Sequence, residues 1–470
     1  MISKFPNIVF RLTMATTLLT VLALTATPAR AATIINVTAG WDSTAGDGLC
    51  SLREAIIAAN TDTAIDACPA GNGADTIVMP AGGYILTLAG SNENAALTGD
   101  LDMTEDLTII GAGSANTWIS GNYSDRVFHI FWPSVVALSG VEIIEGSADL
   151  GGGILNYGTL TLTDTAFSDN SATDGGGGLY NSSAATISNS TFSGNSAALG
   201  GGLYNTGGAI MTITNSTISG NAVTNDGGGI VNEHTLTLTD STVSDNTAGV
   251  TGGGIYNTSY VSSSTLTATN STISGNSTEG DGGGIYNSET AIFINSTISG
   301  NSAKVNGGGI SNTSTVKLHS VTITNNTADS DADALGDGGG VYVSPAGTLN
   351  LGNSIIAGNF DNSTIIRNHD CSGSLTSLGY NLIQKFTGCT LAGTKGNLLR
   401  VAPLLGPLQD NGGSTWTHAL LAGSPAIDAG NPAGCKDGSG TVLTTDQRGN
   451  ARPVDGNGDT IIVCDMGAFE

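Results

Sequence analysis

The chain has 470 residues, with 39 Asp and Glu against 14 Lys and Arg and a formal net charge of −25 at pH 7. So acidic a surface repels nucleic acid and anionic lipid, and argues against tight binding of polyanionic glycans without a bridging metal. Glycine contributes 69 residues and charged residues only 11%, a composition poor in helix formers.

Residues 1–31 read as a secretion signal. Lys4 and Arg11 form a basic start, Leu12 to Ala26 is mostly apolar and uncharged, and Ala29-Arg30-Ala31 offers a small-x-small cleavage site. The apolar run is too short and threonine-rich for a spanning helix, and no second run of spanning length follows. The mature chain is expected to begin near Ala32, outside the cytoplasm and without an integral membrane segment. Loss of Lys4, Arg11 and Arg30, with no acids removed, takes the net charge from −25 to −28.

Residues 32–100 are predicted to form an N-terminal cap and the first coils of a solenoid. In "DGLCSLREAIIAANTD", Asp47 to Asp62, the residues Leu52, Ala55, Ile56 and Ala59 share one helical face, predicting a short capping helix. Strands follow at "DTIVMPAG", "DLTIIGAG", "DRVFHIF" and "VVALSGVEII", about four irregular coils.

Residues 101–360 carry the repeat. The phrase "DGGGIYNSETAIFINSTISGNSA", Asp281 to Ala303, recurs with small changes eight times between Gly151 and Asn359. Its copies align on Asn170, Asn195, Asn221, Asn246, Asn276, Asn301, Asn326 and Asn359, mostly 25 or 26 residues apart, a solenoid period. Three, eight and ten residues before each asparagine lie apolar side chains, such as Phe167, Leu162 and Leu160, or Ile298, Phe293 and Ala291. Polar residues such as Thr161 and Lys317 mostly fill the position between the last two, with Ile292 an exception. This period-two alternation marks strands with one buried face. With a further strand at "GGGIYN", each copy holds three short strands. The architecture is all-β: a right-handed parallel β-helix of about 12 coils, the hand following the bias of parallel crossovers. Asparagine tolerates the left-handed backbone and can pair its amide from coil to coil, while the glycine triplets permit positive φ or close backbone approach.

Residues 361–470 are predicted to form a disulfide-bearing C-terminal cap. The six cysteines, Cys50, Cys68, Cys371, Cys389, Cys435 and Cys464, all lie in the flanks. Fifteen pairings are open, and clustering along the chain favours Cys50–Cys68, Cys371–Cys389 and Cys435–Cys464, each worth about 3 kcal/mol in the chain-entropy account.

These flanks resemble known families. "CSLREAIIAAN", followed by "DLTIIGAGSANTWISG" and "DRVFHIF", resembles the CSLREA domain of exported bacterial proteins. "PLLGPLQDNGGSTWTHALLAGSPAIDAGNP" and "TDQRGNARPVDGNGDTIIVCDMGAFE" are similar to the choice-of-anchor Q domain, and the "GGGI…STISGN" units to repeats of chlamydial polymorphic outer-membrane proteins. The resemblance implies a bacterial protein, secreted or on the cell surface, with a pectate-lyase-like β-helix. It implies no particular reaction.

The residues themselves offer little for catalysis. Gly151 to Phe360 holds fourteen acids, two lysines and no arginine, a poor groove for a β-eliminating lyase. Arg126 and Arg367 stand at its margins and read first as ion pairs. Asp164, Asp169, Asp240, Asp245 and Asp281 could supply a glycosidase pair, but several sit at recurrent turn positions. No catalytic residue and no resident cofactor is assigned. Calcium is a candidate for two acidic loops, Asp329, Asp331 and Asp333 (with Asp337 beyond) and Asp455, Asn457 and Asp459, although solvated loops are the plainer account. Tyr180, Tyr204, Tyr256, Tyr286 and Tyr342 occupy equivalent positions and are expected to stack outward as a ladder, a candidate sugar-binding face. The expected function is non-catalytic adhesion, with a polysaccharide or cell-surface glycan as partner. A polysaccharide lyase or glycoside hydrolase is the alternative, and a structural spacer the second. The sequence leaves the oligomeric state open.

Overall fold

The computed structural model describes residues 32–90, 93–261, 263–333, 335–364 and 367–470; the predicted signal lies outside them. Among these residues the elements are short strands and one helix, α1 (Leu52–Thr61). No helix there is long and apolar enough to cross a membrane.

Each regular coil contains four strands where the sequence pattern predicts three. From Leu179 they are Leu179–Asn181, Ala184–Ser188, Thr191–Ser193 and Ser196–Ala197. The fourth is two residues long, too short to leave an alternation in the sequence. Each strand pairs in parallel with its equivalent in the next coil, so the molecule presents four faces, numbered here in that order. The third face alone has 13 strands, from Gly82–Ile85 to Leu398–Leu399, close to the 12 coils expected.

The expected inward residues are the core. Phe167, Leu162, Leu160, Ile298, Phe293 and Ala291 are fully buried, and the Phe167 and Phe192 rings stack 4.4 Å apart. Below the fourth face, Ala172, Ala197, Val223 and Ala248 form a small separate cluster.

Two jobs expected of asparagine are split between neighbours. At the Gly-Asn turn the first residue, Asp169 or Asn325 for example, takes the positive φ. The second is buried and bonds along the axis. Asn170 Nδ2 donates to Asn195 Oδ1 at 2.9 Å, and the relay continues coil by coil to Asn359, which donates to the Asp370 carboxylate. A second relay joins Asn156 to Asn312. Buried amides are thereby satisfied by their own repeats. The glycine triplet does both things foreseen: Gly282 has φ 74°, and a Cβ on Gly253 would lie 2.4 Å from the Gly283 carbonyl oxygen.

At the N-terminal end, Ser51 caps α1 in a reciprocal capping box with Glu54, and Leu52 to Ala59 are buried. Arg53 is buried with them. It pairs with Asp42 at 2.6 Å and donates to the carbonyls of Ala96, Gly99 and Asp100.

At the other end, Cys371–Gly379, Leu382–Ile383, Cys389–Ala392 and Leu398–Leu399 complete the last coils. The disulfide-bearing region beyond them does not simply cover the end: it turns back and runs along the third face. Its hairpin, Leu405–Gln409 with Thr417–Leu420, is an antiparallel pair. Gln447 bonds Thr297, Thr272 and Thr415; Arg452 bonds Asn295 and pairs with Glu470; the Ala468 amide donates to Thr322. The three disulfides join the cysteines that clustering favours.

Candidate functional site

The outward residues of the third face come from the "Thr-x-Ser" of each "STISGN" phrase. Thr217, Thr242, Thr272, Thr297 and Thr322 stand in register, and beside them Ser219, Ser244, Ser274, Ser299 and Thr324. Parallel stacking sets such hydroxyls about 4.8 Å apart in two rows. The C-terminal hairpin lies over part of this lattice and leaves a groove of about 680 Å³ beside it. Thr217, Thr242, Ser244, Ser274 and Ser299 line its floor, with the turn residues Asp245, Gly275 and Gly300; Leu408, Ser414, Thr415 and Trp416 line its other side. Trp416 is 56% exposed while its carbonyl accepts the Thr272 hydroxyl at 2.7 Å. The backbone is fixed and the indole is free to meet a ligand. Among the described residues Asp245 is the one charged residue that lines the groove, so no second carboxylate stands across from it.

His418 holds the hairpin down. Its Nε2 meets Ser299 Oγ at 2.8 Å and its Nδ1 the Gly406 carbonyl at 2.7 Å. Burial keeps the ring below its ordinary pKa, so Nδ1 donates to the carbonyl and Nε2 accepts from the serine.

The tyrosine row lies on the first face, in the predicted register, but Val231 and Ser311 interrupt it. Tyr180, Tyr256, Tyr286 and Tyr342 are half-buried and Tyr204 is buried. Tyr180 and Tyr204 stack at 5.0 Å, and Tyr256 meets Tyr286 at 5.4 Å. Burial, with nearby Glu233 and Asp226, pushes Tyr180 and Tyr256 up to about 12. Tyr204 donates to the Glu233 carboxylate. Tyr180 and Tyr204 turn one face of each ring on the other, and Tyr256 and Tyr286 meet at a tilt of 31°.

The same row begins with Asp102 and His129, paired in register across Leu101–Met103 and Phe128–Ile130. They adjoin a polar pocket of about 390 Å³ whose charged and titratable lining residues are Glu93, Asp100, Asp125, Arg126, His129 and Asp149. Burial, reinforced by Asp102 and opposed by Arg126, pushes Asp100 up to about 7. Arg126 pairs with Asp100 at 2.8 Å and donates to the Leu150 carbonyl, as the ion-pair reading expects. Arg367 donates to the Ser363 carbonyl. Asp164, Asp169, Asp240 and Asp245 are left-handed turn residues, and Asp281 accepts the Asn306 amide.

Of the two acidic loops, Asp329, Asp331 and Asp333 bring carboxylate oxygens within 4.8 Å of one another, with Asp329 buried and the others exposed. In the second, Asp455 accepts from the Gly458 and Thr460 amides, Asn457 from Asp459, and Asp459 from Ile461, so these oxygens already serve the turn.

Known proteins agree with the architecture. Residues 109–264 match the family described as right-handed beta helix region, and residues 270–288 match the Chlamydia polymorphic membrane protein repeat. The fold is a right-handed parallel β-helix. Among solved structures, the pectate lyase Pel9A superposes with TM-score 0.46 at 14% identity, covering 93% of this chain and 96% of its own. The PL6 family alginate lyase AlyGC gives 0.35 at 12%, covering 74% of this chain and 52% of its own. The A-module of mannuronan C-5 epimerase AlgE4 from Azotobacter vinelandii gives 0.30 at 14%, covering 70% and 89%. At such identities the likeness concerns the fold alone. No curated protein matches the chain.

Sequence reasoning missed the groove. Its signal was present in the outward Thr and Ser of every "STISGN" phrase, but nothing local says which copies lie beside Trp416.

Proposed function

We propose that the protein is a non-catalytic, extracellular carbohydrate-binding β-helix whose ligand occupies the groove beside Trp416. The carrying observation is an exposed indole at the edge of a regular hydroxyl lattice. An aromatic face takes the C–H side of a sugar ring, and rows of hydroxyls exchange hydrogen bonds with its rim. With Asp245 the only charge in the groove, the favoured ligand is a neutral glycan; the acidic surface elsewhere disfavours a polyanion. Three disulfides among six cysteines support an oxidising, extracellular setting. Against catalysis, Asp245 stands in the groove without the second carboxylate that glycoside hydrolysis needs, and Arg126 pairs with Asp100 outside it.

A glycan array, followed by calorimetry on any hit with and without calcium, tests this reading. Trp416→Ala should weaken binding by roughly tenfold or more, and Tyr256→Ser with Tyr286→Ser should leave it unchanged. The reverse pattern would move the ligand to the tyrosine row. New reducing or unsaturated ends on the bound polymer would replace binding by catalysis.

A further inference from the structure

Asp102 is fully buried, yet its Oδ1 accepts no hydrogen bond. Its other oxygen accepts the Ala96 amide at 2.9 Å. The nearest basic atom to Oδ1 is His129 Nδ1, at 3.5 Å, beyond hydrogen-bonding reach. His129 has an unsatisfied nitrogen of its own: Nε2 is buried without a partner, and the ring packs 3.8 Å from Phe131. Asp100, just before the same strand, brings a carboxylate oxygen to the group. One ligand atom from each of Asp100, Asp102 and His129 lies within 4.8 Å of the others.

Charge points the same way. Asp100, Asp102 and Asp125 converge around Arg126, while the nearby Arg53 guanidinium is paired with Asp42. Buried carboxylates without compensation are costly, and Arg126 pairs with Asp100 and Asp125, not with Asp102. The site is also held in place beforehand. Arg53, itself buried, grips the carbonyls of Ala96, Gly99 and Asp100, so the N-terminal helix fixes the loop that carries Asp100.

We propose that Asp100, Asp102 and His129 bind one divalent first-row transition-metal cation. Two carboxylates and an imidazole make a mixed oxygen–nitrogen set. Imidazole favours zinc and its neighbours, whereas calcium takes six to eight oxygens. This inference does not rest on the sugar-binding reading, because the pocket adjoins the first face and the groove is built on the third.

The test is equilibrium dialysis of the untagged chain against Zn²⁺, alone and with excess Ca²⁺. One zinc per chain should be retained in both cases. His129→Asn should weaken retention by about tenfold or more, since loss even of a supporting residue costs about that much, and Asp102→Asn should do the same. His129 lies at the pocket surface, so its variant decides the matter if the Asp102 variant does not fold, with thermal melting as the check on folding. No zinc retained by the parent chain would overturn the proposal. So would zinc displaced by Ca²⁺, or zinc retained undiminished by a folded His129→Asn chain.

Discussion

Thr242 and Thr297 open the same "Thr-x-Ser" phrase on the same face, two coils apart, and live in different environments. Thr242 is half-buried and lines an open groove. Thr297 is fully buried, and its hydroxyl donates to Gln447 Oε1 at 2.7 Å. The repeat lays down one uniform lattice of hydroxyls, and a non-repeating segment decides which part becomes an internal interface. The covered half also models the open half. The Trp416 carbonyl, the Gln447 side-chain amide and the His418 imidazole of the C-terminal segment already satisfy Thr272, Thr297 and Ser299, and sugar hydroxyls can exchange hydrogen bonds with the open hydroxyls in their place.

The contrast is best broken by undocking the segment. Arg452 is buried between Asn295, the Asp465 and Gly467 carbonyls and Glu470. Arg452→Ala leaves the Glu470 carboxylate without its partner and should cost about 3–5 kcal/mol. Limited proteolysis should then release residues beyond 400 while the coils stay intact. A segment that remains protected would show that docking does not depend on this knot.

A smaller effect sharpens the same contrast. Thr297→Ala should destabilise by about 1–3 kcal/mol by stranding Gln447 Oε1, whereas Thr242→Ala should change little. Equal urea midpoints for the two variants would contradict the distinction between covered and open coils.

Docking should also depend on pH through His418. The docked state holds the ring neutral. His418 therefore contributes in full above the unfolded value of about 6.5, and the contribution falls as pH drops below it. Asp465, pushed up to about 7 by burial, acts in the opposite sense, its contribution falling as pH rises from about 3.8 to about 7. Comparison with His418→Asn isolates the histidine: protease release should rise more steeply from pH 7 to pH 5 in the parent. Parallel profiles would remove His418 from the account.

The smallest stability effect belongs to Trp416→Ala, expected within about 0.5 kcal/mol because the indole is mostly exposed. A large drop in melting temperature would make Trp416 part of the fold and weaken its assignment to a ligand.

The coil was legible because its information is local. Phe167, Leu162 and Leu160 announce their buried face through alternation alone, and Leu52, Ala55, Ile56 and Ala59 announce α1 through their shared helical face. Ala197 and Ala248 did not announce the fourth strand, since two residues carry no period. The tyrosine register was readable, but not the stacking of Tyr180 on Tyr204 or the burial of Tyr204 against Glu233. Asp102 and His129 meet only because two irregular coils place them side by side, 27 positions apart and in no motif. The docking of Gln447 and Arg452 onto Thr297 and Asn295 spans about 150 residues and follows no repeat. Such contacts depend on where the chain turns back, which no short window of sequence records.

The asparagine relays have a mechanical consequence. They run along the axis, parallel to the hydrogen bonds that join coil to coil. A tension between the two ends therefore loads one rung at a time instead of shearing many together. Each surrendered coil of some 25 residues would pay out about 85 Å of chain. The C-terminal segment straddles coils from Asn270 to Asn353 and clamps that stretch. Under load the unclamped coils yield first, and the clamped ones hold until the strap is torn away.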